Sequence, residues 1–276
     1  MPARRRSLKE LAGDPRFISG VYNYCDRWCE RCPLTARCLV YATEQQDDAA
    51  DPASRDIRNQ AFWKRLEGMF LEAQEMLEEI MKEHGIEFDP AELAEVEQRD
   101  KRRHEETWSH PSAVAGNEYA KAVRAWFEAA APRFRERAEE IESHRRMELP
   151  GADPEADIRL LQDATEVIQW YQQQIAVKIM RAVGSARRDE GTDIELTGDA
   201  DGSAKVALIG MDRSLTAWSE ILRQLPDEED RILPLLAALS RLRRDIEATF
   251  PNARAFVRPG FDTGEAASPA EVVRER

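Results

Sequence analysis

The residues best suited to chemistry in this sequence are four cysteines near its N-terminus. Cys25, Cys29, Cys32 and Cys38 are the only cysteines among 276 residues, and all four fall within one 14-residue window. Cysteines used as small apolar side chains are scattered through a core, so such a cluster points to another use. Thiolates bind zinc and iron–sulfur clusters. The spacing C-x3-C-x2-C-x5-C therefore predicts that these four residues bind a metal ion or a cluster.

Helical geometry limits how these side chains can meet on one ion. In a straight α-helix, Cys25 and Cys32 would lie about 10.5 Å apart along the axis. Two thiolates on one tetrahedral zinc lie only about 3.8 Å apart. Either the helix ends near Cys29, or the bound group is larger than one ion. Pro33 favours the first alternative, because the residue before a proline is pushed out of helical conformation. A cubane cluster would satisfy the second.

The compact spacing favours a [4Fe–4S] cluster over zinc. Structural zinc sites usually carry two C-x2-4-C pairs separated by a dozen or more residues. The second gap in this sequence is too short for that pattern. Closely spaced runs such as C-x2-C-x2-C-x3-C-P instead hold iron–sulfur clusters. Zinc bound by all four cysteines after folding is the alternative.

The ten residues Cys29-Glu-Arg-Cys-Pro-Leu-Thr-Ala-Arg-Cys38 resemble the C-x2-C-P-x4-C knuckle that closes a [4Fe–4S] cluster in RecB-like nucleases of the CRISPR-associated kind. Similar spacing occurs in auxiliary-cluster domains of peptide-modifying radical enzymes. This resemblance implies a cluster but no nuclease activity, because no βαβ nuclease core accompanies the motif. As a whole, the chain resembles an uncharacterised bacterial protein family, and that resemblance implies no activity.

Cys25, Cys29 and Cys32 also match the spacing of radical S-adenosylmethionine enzymes. Those enzymes usually carry an aromatic residue before the last cysteine, where this sequence has Arg31. Their motif follows a strand of a partial β/α barrel, and Cys38 would occupy the iron that they leave open. The sequence favours a closed site with four thiolate ligands. Such a site suits electron transfer, redox or oxygen sensing, or scaffolding rather than Lewis-acid chemistry, which needs an open position.

Charged and aromatic side chains flank the cysteines. Two interpretations are open for Arg27, Arg31 and Arg37: they offset the negative charge of the site, or they are ordinary surface residues. Offsetting that charge would raise the reduction potential. Two interpretations are also open for Trp28 and Tyr24. They either shield the site from water or anchor this segment on the rest of the fold, and the second interpretation is favoured.

The composition limits the kinds of partner and the cellular compartment that we expect for this protein. The chain carries 53 acidic and 40 basic residues, a formal net charge of −13, so nucleic acid is not expected as a partner. It has no apolar run approaching the 18 residues of a membrane span. Charged residues follow the N-terminal arginines where an export signal would be apolar. The lack of an export signal, together with the clustered thiols, predicts a cytoplasmic protein. An iron–sulfur cluster would imply a redox protein as partner. The sequence makes no prediction of the oligomeric state.

Apolar residues recur at helical spacing over 56–84, 154–187, 215–225 and 232–246, which predicts an all-α, multi-helix bundle. Gly85 is a helix stop, and Pro226 separates the last two segments as a helical hairpin. The region 90–147 is predicted as helix with breaks near His110-Pro111, Gly116 and Pro132. Linkers are expected over 43–55 and 189–203. A small hairpin pairing 193–197 with 205–209 competes with a helix that continues from Ser203.

These elements suggest four parts: a basic tail and cysteine segment (1–42), a long-helix bundle (56–188), a helical hairpin completing that bundle (203–250) and a tail (251–276).

No histidine has a carboxylate three residues before it, as di-iron bundle sites require. The pairs Asp100–His104, Glu106–His110 and Glu140–His144 are interpreted as exposed acid–imidazole pairs. Nucleophile, phosphate-loop and dinucleotide motifs are missing. Catalytic residues stay unknown, and an enzyme without a recognisable motif is a third hypothesis.

Overall fold

The computed structural model describes residues 6–50, 56–85, 89–147, 153–189 and 198–262. Within these ranges the regular elements are α-helices and short 3₁₀ turns, so the protein is an all-α, multi-helix bundle as predicted. In chain order, the helices are α1 (Leu8–Ala12), α2 (Leu39–Ala50), α3 (Gln60–His84), α4 (Pro90–Ser109), α5 (Pro111–Met147), α6 (Pro154–Asp189), α7 (Asp199–Gln224) and α8 (Glu229–Thr249).

Local capping signals define several helix ends. Asn59 begins α3 by accepting a hydrogen bond from the Ala61 backbone N–H at 3.0 Å. Gly85 ends it with a left-handed φ of 63°, and its N–H donates to the Met81 carbonyl. Pro226 opens a 3₁₀ turn, Pro226–Glu228, that separates α7 from α8. The predicted helix stop and the predicted break before the last helix are both confirmed.

Helix α5 continues through two residues that were predicted to break it. Gly116 and Pro132 both lie inside α5, so only the break at His110-Pro111 is confirmed. Gly116 is buried, and a Cβ atom at this position would lie 3.2 Å from Ile179 Cδ1 and 3.3 Å from Ala176 Cα. The glycine therefore permits close packing of α5 on α6, and this tertiary contact outweighs its low helix propensity.

Three other expectations about irregular segments need correction. The predicted linker 189–203 overlaps two helices, because Asp189 ends α6 and residues 199–203 begin α7. Residues 190–197 of that linker lie outside the described residues. The predicted linker 43–55 is helical as far as Ala50, because α2 continues from the cysteine segment. Residues 205–209 belong to α7, so they do not form the second strand of a hairpin. The first strand of that hairpin, 193–197, lies outside the described residues.

The chain forms two compact units, one of which comprises residues 24–26 and 101–257. Helices α6 and α7 make the most extensive contact in this unit, and α5 and α8 pack beside them. Most of the positions predicted at helical spacing in α6 and α8 lie in its core, whereas Ile158 is exposed and Thr165 is only partly buried. The buried members are Leu161, Ile168, Tyr171, Ile175, Ile179, Ile232, Leu235, Leu239, Leu242 and Ile246.

The other unit comprises residues 1–23, 27–100 and 258–276. Its buried apolar side chains among the described residues are Leu11, Val21 and Leu34. Helix α3 forms as predicted, yet it buries none of its side chains. The two units divide the predicted bundle segment 56–188 after Asp100. No helix in the described ranges is long and apolar enough to cross a membrane.

Candidate functional site

The backbone of the cysteine segment is built from short turns. Cys29 begins the 3₁₀ turn Cys29–Arg31, and the Cys32 N–H closes that turn on the Cys29 carbonyl at 3.2 Å. Cys32 itself is extended, with φ −86° and ψ 124°, as Pro33 requires. A single straight helix through Cys25 and Cys32, the arrangement that geometry excludes for zinc, is not formed.

The fourth cysteine ends the next turn. Cys38 follows the 3₁₀ turn Thr35–Arg37, and its N–H donates to the Thr35 carbonyl at 3.2 Å. Helix α2 starts at the following residue, Leu39. Cys29, Cys32 and Cys38 thus lie at the boundaries of two consecutive turns, where the backbone changes direction.

The Cys32 sulfur accepts a hydrogen bond from the Leu34 backbone N–H, with a donor–acceptor distance of 3.4 Å. Leu34 is only 1% exposed, and its side chain packs close to Gly260 within the same unit. The Ile18 N–H donates to the Arg37 carbonyl at 3.0 Å. These contacts fix the second half of the cysteine segment and direct a backbone dipole at one of its sulfur atoms.

Arg27 separates Cys25 from the other three cysteines. It is the one non-glycine residue in the described ranges with a positive φ, at 60°. This left-handed conformation is uncommon for a residue with a long side chain and imposes local backbone strain. A boundary between the two compact units lies directly before Arg27, since Cys25 belongs to one unit and Cys29, Cys32 and Cys38 belong to the other.

The residue before Cys25 is anchored on helix α7. The rings of Tyr24 and Phe256 have centroids 4.7 Å apart. Gly202 lies so close beneath Tyr24 that a Cβ atom there would be 2.3 Å from Tyr24 Cε1. Burial, followed by the nearby Asp199 carboxylate, raises the pKa of Tyr24. The favoured prediction that Tyr24 anchors the segment agrees with these contacts.

The residue after Cys25 is held by helices α6 and α7. The Trp170 indole N–H donates to the Asp26 carbonyl at 2.9 Å. The Tyr171 hydroxyl donates to the Asp26 carboxylate, and Arg213 donates to the same oxygen at 2.9 Å. Burial of Tyr171, followed by the Asp26 charge, raises the pKa of its phenol far above the ordinary value. Tyr24 and Asp26 therefore fix the chain on both sides of Cys25.

A second, partly buried cluster supports the Tyr24 anchor. Asp199, the first residue of α7, accepts hydrogen bonds from Arg181 at 2.6 Å and from Ser185 at 2.5 Å. Burial opposes ionisation of Asp199, but these hydrogen bonds and the Arg181 charge outweigh burial and lower its pKa. The carboxylate therefore stays ionised beside Tyr24 and joins the start of α7 to the end of α6.

Two of the flanking side chains contact each other. The Arg31 guanidinium lies over the Trp28 ring, 4.0 Å from its centroid, which is a close cation–π contact. The sequence did not predict this contact between Arg31 and Trp28. The two open interpretations of Arg27, Arg31 and Arg37, charge compensation or ordinary surface residues, stay predictions.

His110 has a structural role that the sequence interpretation missed. Its Nδ1 accepts a hydrogen bond from the Ser112 N–H at 3.2 Å and so caps the start of α5. Burial, followed by the Arg187 charge, lowers the pKa of His110. A sequence signal was available, because His110 immediately precedes Pro111, the first residue of α5.

The four cysteines are all half-buried, and none of them forms a disulfide. In the ranges that the structure describes, no group of three or more histidine, cysteine, aspartate or glutamate side chains is arranged to hold a metal ion. The cysteine sulfurs, the turns and the N–H···S bond suit thiolate ligation. However, the described side chains do not bring three or more candidate ligands together. A shared site formed by all four cysteines therefore stays a prediction.

Comparisons with protein-family models, curated proteins and solved structures gave no match for this chain.

Proposed function

We propose that Cys25, Cys29, Cys32 and Cys38 bind a [4Fe–4S] cluster, and that the protein acts in electron transfer or in redox or oxygen sensing. The observation that carries this proposal is the hydrogen bond from the Leu34 N–H to the Cys32 sulfur at 3.4 Å. A backbone N–H aimed at sulfur stabilises a thiolate over a thiol. Hydrogen bonds to ligand sulfurs are also a means by which proteins set the potential of such clusters.

The turn geometry supports the same assignment. Cys29 and Cys32 lie at the two ends of one 3₁₀ turn, and Cys38 follows the next turn. Four thiolates within so short a segment can ligate a group of several iron atoms. The cluster would supply one-electron chemistry. The chain would contribute the thiolates, the N–H···S bond and the positive Arg31 on Trp28.

A reducing compartment and a redox partner follow from this proposal. Thiolates stay available as ligands where thiols are kept reduced, which supports a cytoplasmic location. Electron transfer or sensing requires a donor or acceptor, so we propose a redox protein as the partner. With a formal net charge of −13, the chain favours a partner that presents a basic surface.

Structural zinc is the second candidate, and one observation favours it. Cys29 and Cys32 share a single turn, which is the arrangement that C-x2-C pairs adopt on one zinc ion. In that case the cysteine segment would stabilise a helical scaffold or interaction module without catalysis. Metal content distinguishes the two candidates, because only a cluster contains inorganic sulfide.

The test is anaerobic purification of the full chain from cells grown without added zinc, followed by iron, zinc and sulfide analysis and a visible spectrum. We expect a brown protein with iron and acid-labile sulfide in equal amounts. Cys25→Ser, Cys32→Ser and Cys38→Ser should each lower the iron content strongly. A Cys38→Ser protein that keeps its cluster and binds S-adenosylmethionine would contradict a closed four-thiolate site.

Ala36→Ser is the matched control for the cysteine variants. Ala36 is exposed and lies in the turn between Cys32 and Cys38, and the change introduces the same serine side chain. We expect this variant to keep the iron and sulfide content of the unmodified chain. Equal loss of iron in Ala36→Ser and Cys38→Ser would show that disturbance of the turn, rather than loss of a ligand, explains the effect.

A further inference from the structure

Cys29 and Cys32 share one backbone turn. They lie at the two ends of the 3₁₀ turn Cys29–Arg31, which the Cys32 N–H closes on the Cys29 carbonyl at 3.2 Å. A turn of four residues brings its first and last Cα atoms within about 7 Å of each other. A disulfide spans a Cα–Cα distance of about 4.4–6.8 Å. The turn therefore holds this pair of cysteines within reach of a disulfide bond.

The backbone distinguishes this pair from the other two cysteines. Cys38 follows a separate 3₁₀ turn, Thr35–Arg37. Cys25 belongs to the other compact unit, and Arg27, with its left-handed φ of 60°, lies between it and Cys29. A disulfide between Cys29 and Cys32 closes within one existing turn, whereas a disulfide between Cys32 and Cys38 would have to span the second turn as a larger loop.

Small molecules can reach the turn, and one of its sulfur atoms is the better nucleophile. Arg31 and Pro33 are exposed, and Cys29 and Cys32 are both partly exposed. The Leu34 N–H donates to the Cys32 sulfur at 3.4 Å and stabilises negative charge on it. Thiol–disulfide exchange proceeds by attack of a charged sulfur on a disulfide. The hydrogen bond therefore assigns the attack to Cys32 and leaves the second step to Cys29.

We propose that Cys29 and Cys32 of the metal-free chain form a reversible disulfide by exchange with a small disulfide such as oxidised glutathione. The Cys32 thiolate attacks one sulfur of the small disulfide, forms a mixed disulfide and releases the first thiolate. The Cys29 thiolate then attacks the Cys32 sulfur and releases the second thiolate. The two cysteines lose two electrons and two protons, and the small disulfide gains them as two thiols.

This activity goes beyond the proposed cluster, because it concerns the chain without metal. It rests on the turn between Cys29 and Cys32, on their exposure and on the hydrogen bond to the Cys32 sulfur. A test without metal therefore distinguishes failure of this inference from failure of the cluster assignment.

Oxidised glutathione tests the proposal on the full chain, reduced and freed of metal with a chelator. After acid quenching and alkylation, trypsin cleaves behind Arg27, Arg31 and Arg37, so each cysteine falls in a separate peptide. Mass spectrometry should find the Cys29 and Cys32 peptides joined by a disulfide that a dithiol reductant reverses. A chain that stays fully reduced, or one that pairs Cys32 with Cys38 instead, would overturn the proposal.

Unfolding in urea separates the effect of the turn from that of short sequence spacing. In mixtures of reduced and oxidised glutathione, the folded chain should favour the Cys29–Cys32 disulfide at least roughly tenfold more than the urea-unfolded chain, because the turn raises the effective concentration of one thiol near the other. Equal equilibrium constants would show that the turn does not promote the disulfide, which would overturn the proposal.

Serine variants test the order of attack. With oxidised glutathione, Cys29→Ser should accumulate a mixed disulfide on Cys32 at least roughly fivefold faster than Cys32→Ser accumulates one on Cys29. Ala36→Ser is the matched control, because it places the same serine side chain in the neighbouring turn, and it should form the Cys29–Cys32 disulfide like the unmodified chain. Equal rates in the two cysteine variants would contradict the assignment of the attack to Cys32.

Discussion

The Arg213 guanidinium donates a hydrogen bond to the Asp26 carboxylate at 2.9 Å, across 187 positions of sequence. Tyr171 donates to the same carboxylate oxygen from the neighbouring helix. Because Asp26 directly follows Cys25, these two side chains help to hold this cysteine on helices α6 and α7. The position of one candidate ligand thus depends on residues far from the cysteine motif.

Removal of one of these hydrogen bonds should loosen Cys25 selectively. In metal-free, reduced protein, we expect Tyr171→Phe to raise the rate of Cys25 alkylation by about fivefold, since a hydrogen bond contributes about 1 kcal/mol to such a local opening. Cys38 should be little affected. Mass spectrometry of the alkylated peptides measures both rates.

Tyr119→Phe is the matched control for this experiment. Tyr119 is also a buried tyrosine, but its hydroxyl accepts from the Trp218 indole N–H at 2.9 Å, within the core. We expect this variant to lower overall stability without a selective change at Cys25. Equal acceleration at Cys25 in both variants would show that Asp26 does not control access to this thiol.

Gly202→Ala should destabilise the protein. A Cβ atom there would lie 2.3 Å from Tyr24 Cε1 and 2.8 Å from Phe256 Cζ, so the Tyr24 ring must move. Overpacking of this kind costs roughly 1–3 kcal/mol. Urea denaturation followed by circular dichroism measures the free energy of unfolding. An unchanged midpoint would mean that Tyr24 is not packed against α7 as described.

Gly68→Ala should have the opposite effect. Gly68 lies inside α3, and a Cβ atom there would have no heavy atom within 4 Å apart from its own helical backbone and chain neighbours. Alanine is favoured over glycine in a helix interior by roughly 0.5–1 kcal/mol. We expect slower hydrogen exchange of the α3 amides by mass spectrometry. Unchanged or faster exchange in this segment would contradict a helix across Gly68.

His110 should make stability depend on pH. Its pKa is lowered in the folded protein, so the unfolded chain binds the proton more tightly and stability falls as the pH drops below about 6.5. Protonation also removes the Nδ1 acceptor for the Ser112 N–H. His110→Asn keeps a capping acceptor that does not titrate, so its melting temperature should vary less between pH 7 and pH 5. An identical pH dependence would contradict the capping role.

The sequence predicted those features that depend on neighbouring residues. Gly85 ends α3, Pro226 separates α7 from α8, and Cys32 is extended before Pro33, each for a local backbone reason. The core positions of α6 and α8 followed from apolar periodicity alone. These features need no knowledge of the tertiary structure.

The sequence did not predict the features that depend on tertiary contacts. Gly116 was expected to break a helix, but it lets α5 approach Ala176 closely. The hydrogen bonds to the Asp26 carboxylate come from residues 145 and 187 positions away, a separation for which the sequence carries no pattern. The apolar repeat of α3 was also interpreted as core, although none of its side chains is buried. Periodicity predicts an apolar face but does not identify what covers it.

Acid-labile sulfide per chain in anaerobically purified protein tests the central claim most directly. If Cys25, Cys29, Cys32 and Cys38 hold a [4Fe–4S] cluster, the unmodified chain should contain about four sulfide and four iron atoms, and Cys32→Ser should contain neither. Colourless protein with one zinc ion and no sulfide would contradict the cluster and support the structural zinc alternative. Protein with no bound metal under these conditions would contradict both.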